Sequence, residues 1–428
     1  MGGNASLLLV LGFSLLFLIV SYNFGNLSVR AVDNLSNYYE ETIAHNIAVS
    51  GANLALNELF NDNDWASGFS NIPFEDGTFN VTLSTSGYQK EITSVGTYSG
   101  INKTVSVKLQ PSSFAKFGWY IQNMSSKVFI SGDTVYGSFH SQSVLNIEGS
   151  PVFYGKVTTQ QGFSPDPKFW EGLGYDPKFY GGFETGVDVP FPNNYSFLDQ
   201  KNAALDGVNN FGGSSYFHDT DLWLKFNDDG SVTYRTGVGS DTSSYGPPAT
   251  LPITTFAPTG ICYLAKGNVY MSGVLNGQIT VVSGESSGLG SGNVYVTDDI
   301  TYSSAPMVYA GNNIYTPTSS TDMLGILATN NLIIANTTAN QSNICIDASI
   351  FCAQGGVQAE DLLNIGNHGQ IFLRGGVIAA KEEKVVKIEN DGTFKGFKKH
   401  VIFDERFLLT IPPHFPVTDK YEIVSWHE

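Results

Sequence analysis

With 428 residues, 42% of them hydrophobic, the chain is long enough for two or three domains with real cores. Only 14% are charged and the net charge is −17, which argues against nucleic acid as a partner, since phosphate binding rewards clustered Lys and Arg. Three cysteines (Cys262, Cys345, Cys352) are too few for a disulfide framework and lack zinc spacing. Cys345 and Cys352 are the candidates for a disulfide across a loop in an oxidising compartment; the alternative is that they are buried small hydrophobes.

Ala5 to Phe24 reads ASLLLVLGFSLLFLIVSYNF, with no charged side chain before Arg30. That length, apolar on every side, suits a helix that crosses a bilayer. The start MGGNAS has no basic residue and no Ala-x-Ala follows, so the segment does not read as a cleaved secretory signal. After a weak point at Gly25-Asn26, apolar residues return as Val32, Leu35, Tyr39, Ile43, Ile47 and Leu54. Steps of three, four and seven mark one helix face. Ala44, Ala48, Ala52 and Ala55 lie beside it and let another element approach closely, while Asp33, Glu40, Glu41 and Glu58 take the watery side. The pattern predicts one long helix over residues 1–60, with any interruption or bend at Gly25-Asn26.

Residues 61–115 follow as GTFNVTLSTSGYQKEITSVGTYSGINKTVSVKLQ and flanks, alternating as two or three antiparallel strands with turns at Thr85-Ser86-Gly87 and Ser99-Gly100. Residues 116–428 hold short strands punctuated by Gly, Ser, Asn and Asp. The element GNVY occurs at Gly267 and again at Gly292, 25 residues on. Turns of that length, each giving short strands to stacked parallel sheets, point to a β-solenoid-like head; a β-sandwich is the alternative. The fold class is therefore α+β, mainly β.

Between about 162 and 260 the texture changes. DPKFW from Asp166 is echoed by DPKFY from Asp176, then come a helix candidate from Tyr195 and a hairpin turning at Asp228-Asp229-Gly230. This stretch reads as an inserted subdomain, its aromatics more suited to packing than to stacking on glycans. Pro412-Pro413 and Pro416 precede a last strand, Tyr421 to Trp426.

The apolar half-helix, the amphipathic half ending in SGANLALNELF and the β-segment behind it together resemble the N-terminal module of type IV pilin-like proteins, closest to minor pilins and large pseudopilins. GSFHSQSVLNIEGSPVFYGKVTT, DMLGILATNNLIIAN, FDERF, PPHFP and YEIVSW resemble an uncharacterised β-rich head domain found behind such N-termini in bacteria. Two departures separate the chain from typical prepilins. No basic leader precedes Gly2-Gly3, and Leu8 stands where the usual Glu belongs if Gly3 ends the leader; lacking that Glu is a feature of some large pseudopilins. The resemblance implies a filament subunit whose partners are copies of itself, the membrane before assembly and pilus-type assembly machinery. Leu7, Leu8, Leu9, Val10, Leu11, Phe13, Leu15, Leu16, Phe17, Leu18, Ile19 and Val20 are the expected assembly surface. The alternative is a monomeric membrane-tethered adhesin or scaffold meeting a surface glycan or cell; a secreted carbohydrate-active enzyme stands well behind.

Catalytic and metal motifs are scarce: no HExxH, phosphate loop or CxxC is present. Asp298-Asp299 and Asp404-Glu405-Arg406 are the tight acidic candidates. Neighbours on a strand face opposite ways, so Asp298 and Asp299 share a substrate only if the chain turns there. Asp404-Glu405-Arg406 reads as a local salt bridge. No cofactor or metal is expected. Lys384, Lys387, Lys395, Lys398 and Lys399 form a basic cluster around Asn390-Asp391-Gly392, read as a solvated strand face; the alternative is a subunit contact with a neighbour's acidic surface.

Overall fold

The computed structural model describes residues 3–86, 89–124, 129–191, 195–285, 290–304, 320–362, 367–388, 394–408 and 410–428. The turn expected at Asn390-Asp391-Gly392 lies outside them. The chain divides into two compact units, Met1–Ser112 with Thr418–Glu428, and Ser113–Val417.

The first unit opens with a single helix, α1 (Gly3–Asn61), about 88 Å long at 1.5 Å per residue. It runs without interruption through Gly25 and Asn26. The expected interruption is absent because one glycine costs a helix only about 1 kcal/mol. Ser28 Oγ also donates to the Phe24 carbonyl at 2.9 Å, a local bond compatible with the helix.

Behind α1 stand four antiparallel strands, β1 (Phe69–Phe74), β2 (Gly77–Ser86), β3 (Gln89–Tyr98) and β4 (Ile101–Ser113). Ser99 and Gly100, at φ 52 and 83, make the two-residue turn that closes β3 onto β4 with Tyr98 opposite Ile101. A fifth strand, Val417–His427, lies beside β4 and completes the sheet. The expected domain boundaries gave this last strand to the head; it belongs instead to the N-terminal unit. Phe79, Val81, Ile92, Val105, Val107 and Leu109 bury the sheet's inner face against Ile47, Ala48, Ala52, Ala55 and Leu59 of α1. Each fully buried large side chain here contributes roughly 1.5–3 kcal/mol.

The second unit is built from parallel ladders. In the first, Tyr263, Val282, Leu327, Phe351, Ile378, Tyr120, His140, Thr158 and Glu184 stand in register on successive strands. A second aligns Leu222, Val269, Val294, Leu332 and Val357. A third aligns Ile300, Ile346, Leu373, Val401, Val135, Phe153 and Phe179. Alternate residues of these strands point into one continuous apolar core. Among the described strands, antiparallel pairing in this unit is confined to Asp221–Phe226, Ser231–Gly237 and Ala249–Pro252, and to Val386–Ile388 against Phe394–Phe403.

The spatial order departs from the chain order. The strand at Trp119–Asn123 pairs on one side with Phe139–Ser141 and on the other with the strand at Val377–Lys381. From there, 119–185 builds one way; the chain then crosses and re-enters at Tyr216–His218 and Asp221–Phe226, whose partners are Ile261–Ala265 and Val269–Leu275. Residues 162–260 are thus not a separate insertion. Lys178–Phe179 and Phe183–Thr185 end one run of the ladders, and Tyr216–His218 and Asp221–Phe226 begin the other. The helix Leu198–Phe211 and the hairpin turning through Asn227–Gly230 form where expected.

The DPKF echo resolves into two conformations. DPKFY supplies the strand Lys178–Phe179, whereas DPKFW, with the Asp166 carboxylate accepting from Lys168 N, forms a helical cap that lays Trp170 on Phe179, ring centres 5.7 Å apart.

Cys345 and Cys352 do not pair. Both sit on the strand Ile344–Cys352, and an odd spacing of seven puts them on opposite faces, separated by about 23 Å of extended chain. All three cysteines are free and buried.

Candidate functional site

α1 changes character along its length while its backbone does not. From Leu7 to Val20 the expected assembly residues are between 46% and 71% exposed, and Tyr22, Phe24, Leu27, Val29, Val32, Leu35, Tyr38 and Tyr39 are exposed as well. From Ala44 onward the same helix sinks onto the sheet. Ala44, Ala48, Ala52 and Ala55 are fully buried. The small residues set this contact: a Cβ on Gly96 of β3 would lie 2.2 Å from the Ala44 carbonyl oxygen and 2.4 Å from Ala48 N. A Cβ on Gly51 would come within 2.8 Å of Phe79. Glu41 meets Lys103 at 2.8 Å, and His45 meets Glu428 at 3.5 Å, both at the surface.

The exposed half is long and apolar enough to cross a membrane. About a dozen large apolar side chains facing water would form a surface far beyond what a soluble monomer leaves uncovered. The sequence marks this stretch as apolar because no charged residue interrupts it and Ser14 is the one hydroxyl between Leu7 and Val20. Where the sheet takes over the helix was legible only as a run of alanines.

In the second unit the acidic candidates are accounted for by structure. Asp299 Oδ1 accepts from Cys345 N at 2.7 Å and partial desolvation raises its pKa, Asp298 Oδ1 accepts from Asp299 N at 2.8 Å, and both residues are exposed. Asp404 and Arg406 form the expected local salt bridge, and Arg406 also donates to the Ser320 and Asp322 carbonyls. Arg406 and Arg374 each lie against the Tyr302 ring, 5.2 and 5.3 Å from its centre.

Lys399 corrects the expectation of a solvated basic face. It is buried, bonded to Glu382 at 2.5 Å, and set over Phe129 at 4.3 Å. Asp133 lies in the same pocket, accepting from the backbone of Ile130 and Lys399, and burial raises its pKa. The alternation of the strand Phe394–Phe403 turns Lys399 inward while Lys398 stays out. Among the described residues no cluster of His, Cys, Asp and Glu could hold a metal ion.

The two copies of GNVY stand side by side. Val269 opposes Val294 and Tyr270 opposes Tyr295, the tyrosine rings stacked 4.7 Å apart. The asparagines of the motif chain together: Asn293 N and Nδ2 both donate to Asn268 Oδ1 at 3.1 Å, and Asn331 N donates to Asn293 Oδ1 at 3.1 Å. This ladder satisfies backbone groups where the strands begin.

No protein-family model matches the sequence, and neither does any curated protein. Among solved structures the chain is similar to the crystal structure of the competence-associated pilin ComZ from Thermus thermophilus, at a TM-score of 0.28 and 12% identity, over 91% of this chain and 97% of that one.

Proposed function

We propose that this chain is a structural subunit of a type IV pilus-like or pseudopilus-like surface filament, held in the membrane by α1 before assembly, and that it does not act as an enzyme. The supporting observation is the division of α1: its second half is sealed against a sheet, and its first half is apolar on all sides with nothing covering it. Lipid and a core made of other copies of the same helix are both dry, so the same side chains suit both and transfer between them exposes little to water. The large β unit is read as a β-solenoid, a reading supported by the in-register parallel ladders and the paired GNVY motifs.

The test is electron microscopy of sheared cell-surface material, with mass spectrometry of its subunit. Filaments containing this chain are expected from wild type. Leu9→Asp and Leu16→Lys should abolish them while leaving the β units folded, because a charge buried in an apolar core costs several kcal/mol. Filaments of native appearance from either variant would refute assembly through α1 and require contacts between the β units instead, whereas no filaments from wild type would favour a monomeric membrane-tethered adhesin.

A further inference from the structure

Where the strands of the first ladder end, five of them open onto one groove of about 680 Å³. Its floor follows from the register. Two positions beyond Phe351, Ile378, Tyr120, His140 and Thr158 come Ala353, Ala380, Gln122, Gln142 and Gln160; one position further come Gln354, Lys381, Asn123, Ser143 and Gln161. All ten line the groove, with Phe191 closing it. Neighbouring strands lie about 4.8 Å apart, so the polar row repeats at that spacing for about 19 Å.

The adjoining row, at Gln142 and Gln160, is fixed in place. Gln142 Oε1 accepts from His140 Nε2 at 2.7 Å and from Val189 N at 3.1 Å, while its amide nitrogen and that of Gln160 donate to Asp188. His140 is held neutral by burial and stacks on Tyr120, ring centres 5.1 Å apart. Gln354, Lys381 and Gln161, by contrast, are exposed and have no side-chain partner among the described residues. Fixed amides in one row, with free amides and one ammonium in the next, offer donors and acceptors together, which is what hydroxyl groups require.

We propose that this groove binds a linear, neutral polysaccharide, laid across the strands with successive sugars meeting successive side chains. This stands apart from the filament reading and does not depend on it. An extended peptide fits less well. The strand backbones here are already bonded to their neighbours, as in Gln142 N to Ile121 O at 2.8 Å, so no strand edge is free. The apolar lining is two alanine methyls and a buried Phe191, with no pocket for a side chain. Asp188, bonded to Gln142 and Gln160 at the groove, disfavours a polyanion.

The test is calorimetric titration of the full chain in detergent with cellohexaose, chitohexaose, a galacturonate hexamer and an unrelated decapeptide. Saturable binding of a neutral hexasaccharide is expected, weakened by about tenfold or more in Gln161→Ala/Gln354→Ala as two or more hydrogen bonds are lost. Both substitutions are at exposed positions, and unchanged thermal melting confirms folding. The proposal is overturned if neither neutral hexasaccharide saturates at millimolar concentration, if the double variant binds as well as wild type, or if only the galacturonate or the peptide binds.

Discussion

Arg374 and Asp347 stand opposite each other on neighbouring parallel strands, joined by Nε to Oδ1 at 2.8 Å and Nη2 to Oδ2 at 2.6 Å, and neither side chain reaches water. Asp347 Oδ2 also accepts from Tyr302 N at 2.8 Å. Removing one member strands the other charge, so Arg374→Met should destabilise the β unit by about 3–5 kcal/mol, whereas Arg374→Met/Asp347→Leu should recover most of that loss. Denaturant unfolding followed by intrinsic fluorescence measures both.

Asp347 also predicts a pH dependence. Burial pushes its pKa up to about 6, with Arg374 pulling the other way. The folded value lies above the ordinary 3.8, so the folded state takes up the proton first. This group therefore adds stability as the pH falls from about 6 to about 4 and removes it as the pH rises through that window. The melting temperature of wild type relative to Asp347→Asn should rise toward acid across that range. Parallel curves would contradict the assignment.

Lys399 is expected to behave as the centre of a buried charge group. Lys399→Met leaves Glu382 and Asp133 without a cation and should cost about 3–5 kcal/mol. Lys398→Met, on the outward side of the same strand, should change stability by less than about 0.5 kcal/mol. Thermal melting of the two variants side by side decides between a buried and a solvated cluster.

Gly96→Val should loosen α1 from its sheet, because the added carbon would meet the backbone at Ala44 and Ala48, an overpacking cost of about 1–3 kcal/mol. Gly12→Ala meets nothing within 4 Å and should be neutral or slightly favourable to the helix. Hydrogen exchange of residues 44–59 should rise in the first variant and stay unchanged in the second.

The cysteines should remain thiols. Burial raises Cys352 to about 12 and raises Cys262 further, so neither is ionised near neutral pH. Iodoacetamide should label none of the three in the folded chain and all three after denaturation without reductant, read by mass spectrometry.

Much of this architecture is legible in the sequence. α1 is, because Leu7 to Val20 carry no charge that could contradict it, and the first antiparallel sheet is, because its alternation and the Ser99-Gly100 turn are local. The 25-residue spacing of GNVY pointed to neighbouring parallel strands, and Val269 does oppose Val294. What was not legible is partnership between distant segments. Alternation tells which face a side chain takes, not which strand lies beside it. Trp119 and Val377 are neighbours more than half the chain length apart, and the aromatic, Pro-rich texture of 162–260 concealed four strands of the same ladders. Lys399 was misplaced for a related reason: a one-residue step on a strand decides between water and core. The groove went unseen because Gln354, Lys381, Asn123, Ser143 and Gln161 share no motif and meet only through register.

The strand at Trp119 pairs with strands from both halves of its unit, and Ser113 Oγ donates to the Pro416 carbonyl where the unit begins and ends. Entry and exit therefore lie together partway along the ladders, and both extremities are internal to the chain, joined by residues 186–215. Strands added or removed at either extremity, with the crossing segment adjusted to match, would leave the Ser113–Pro416 contact in place. Length becomes a variable that selection can adjust separately from anchorage, and related chains are expected to differ most in the segments flanking Phe183 and Tyr216.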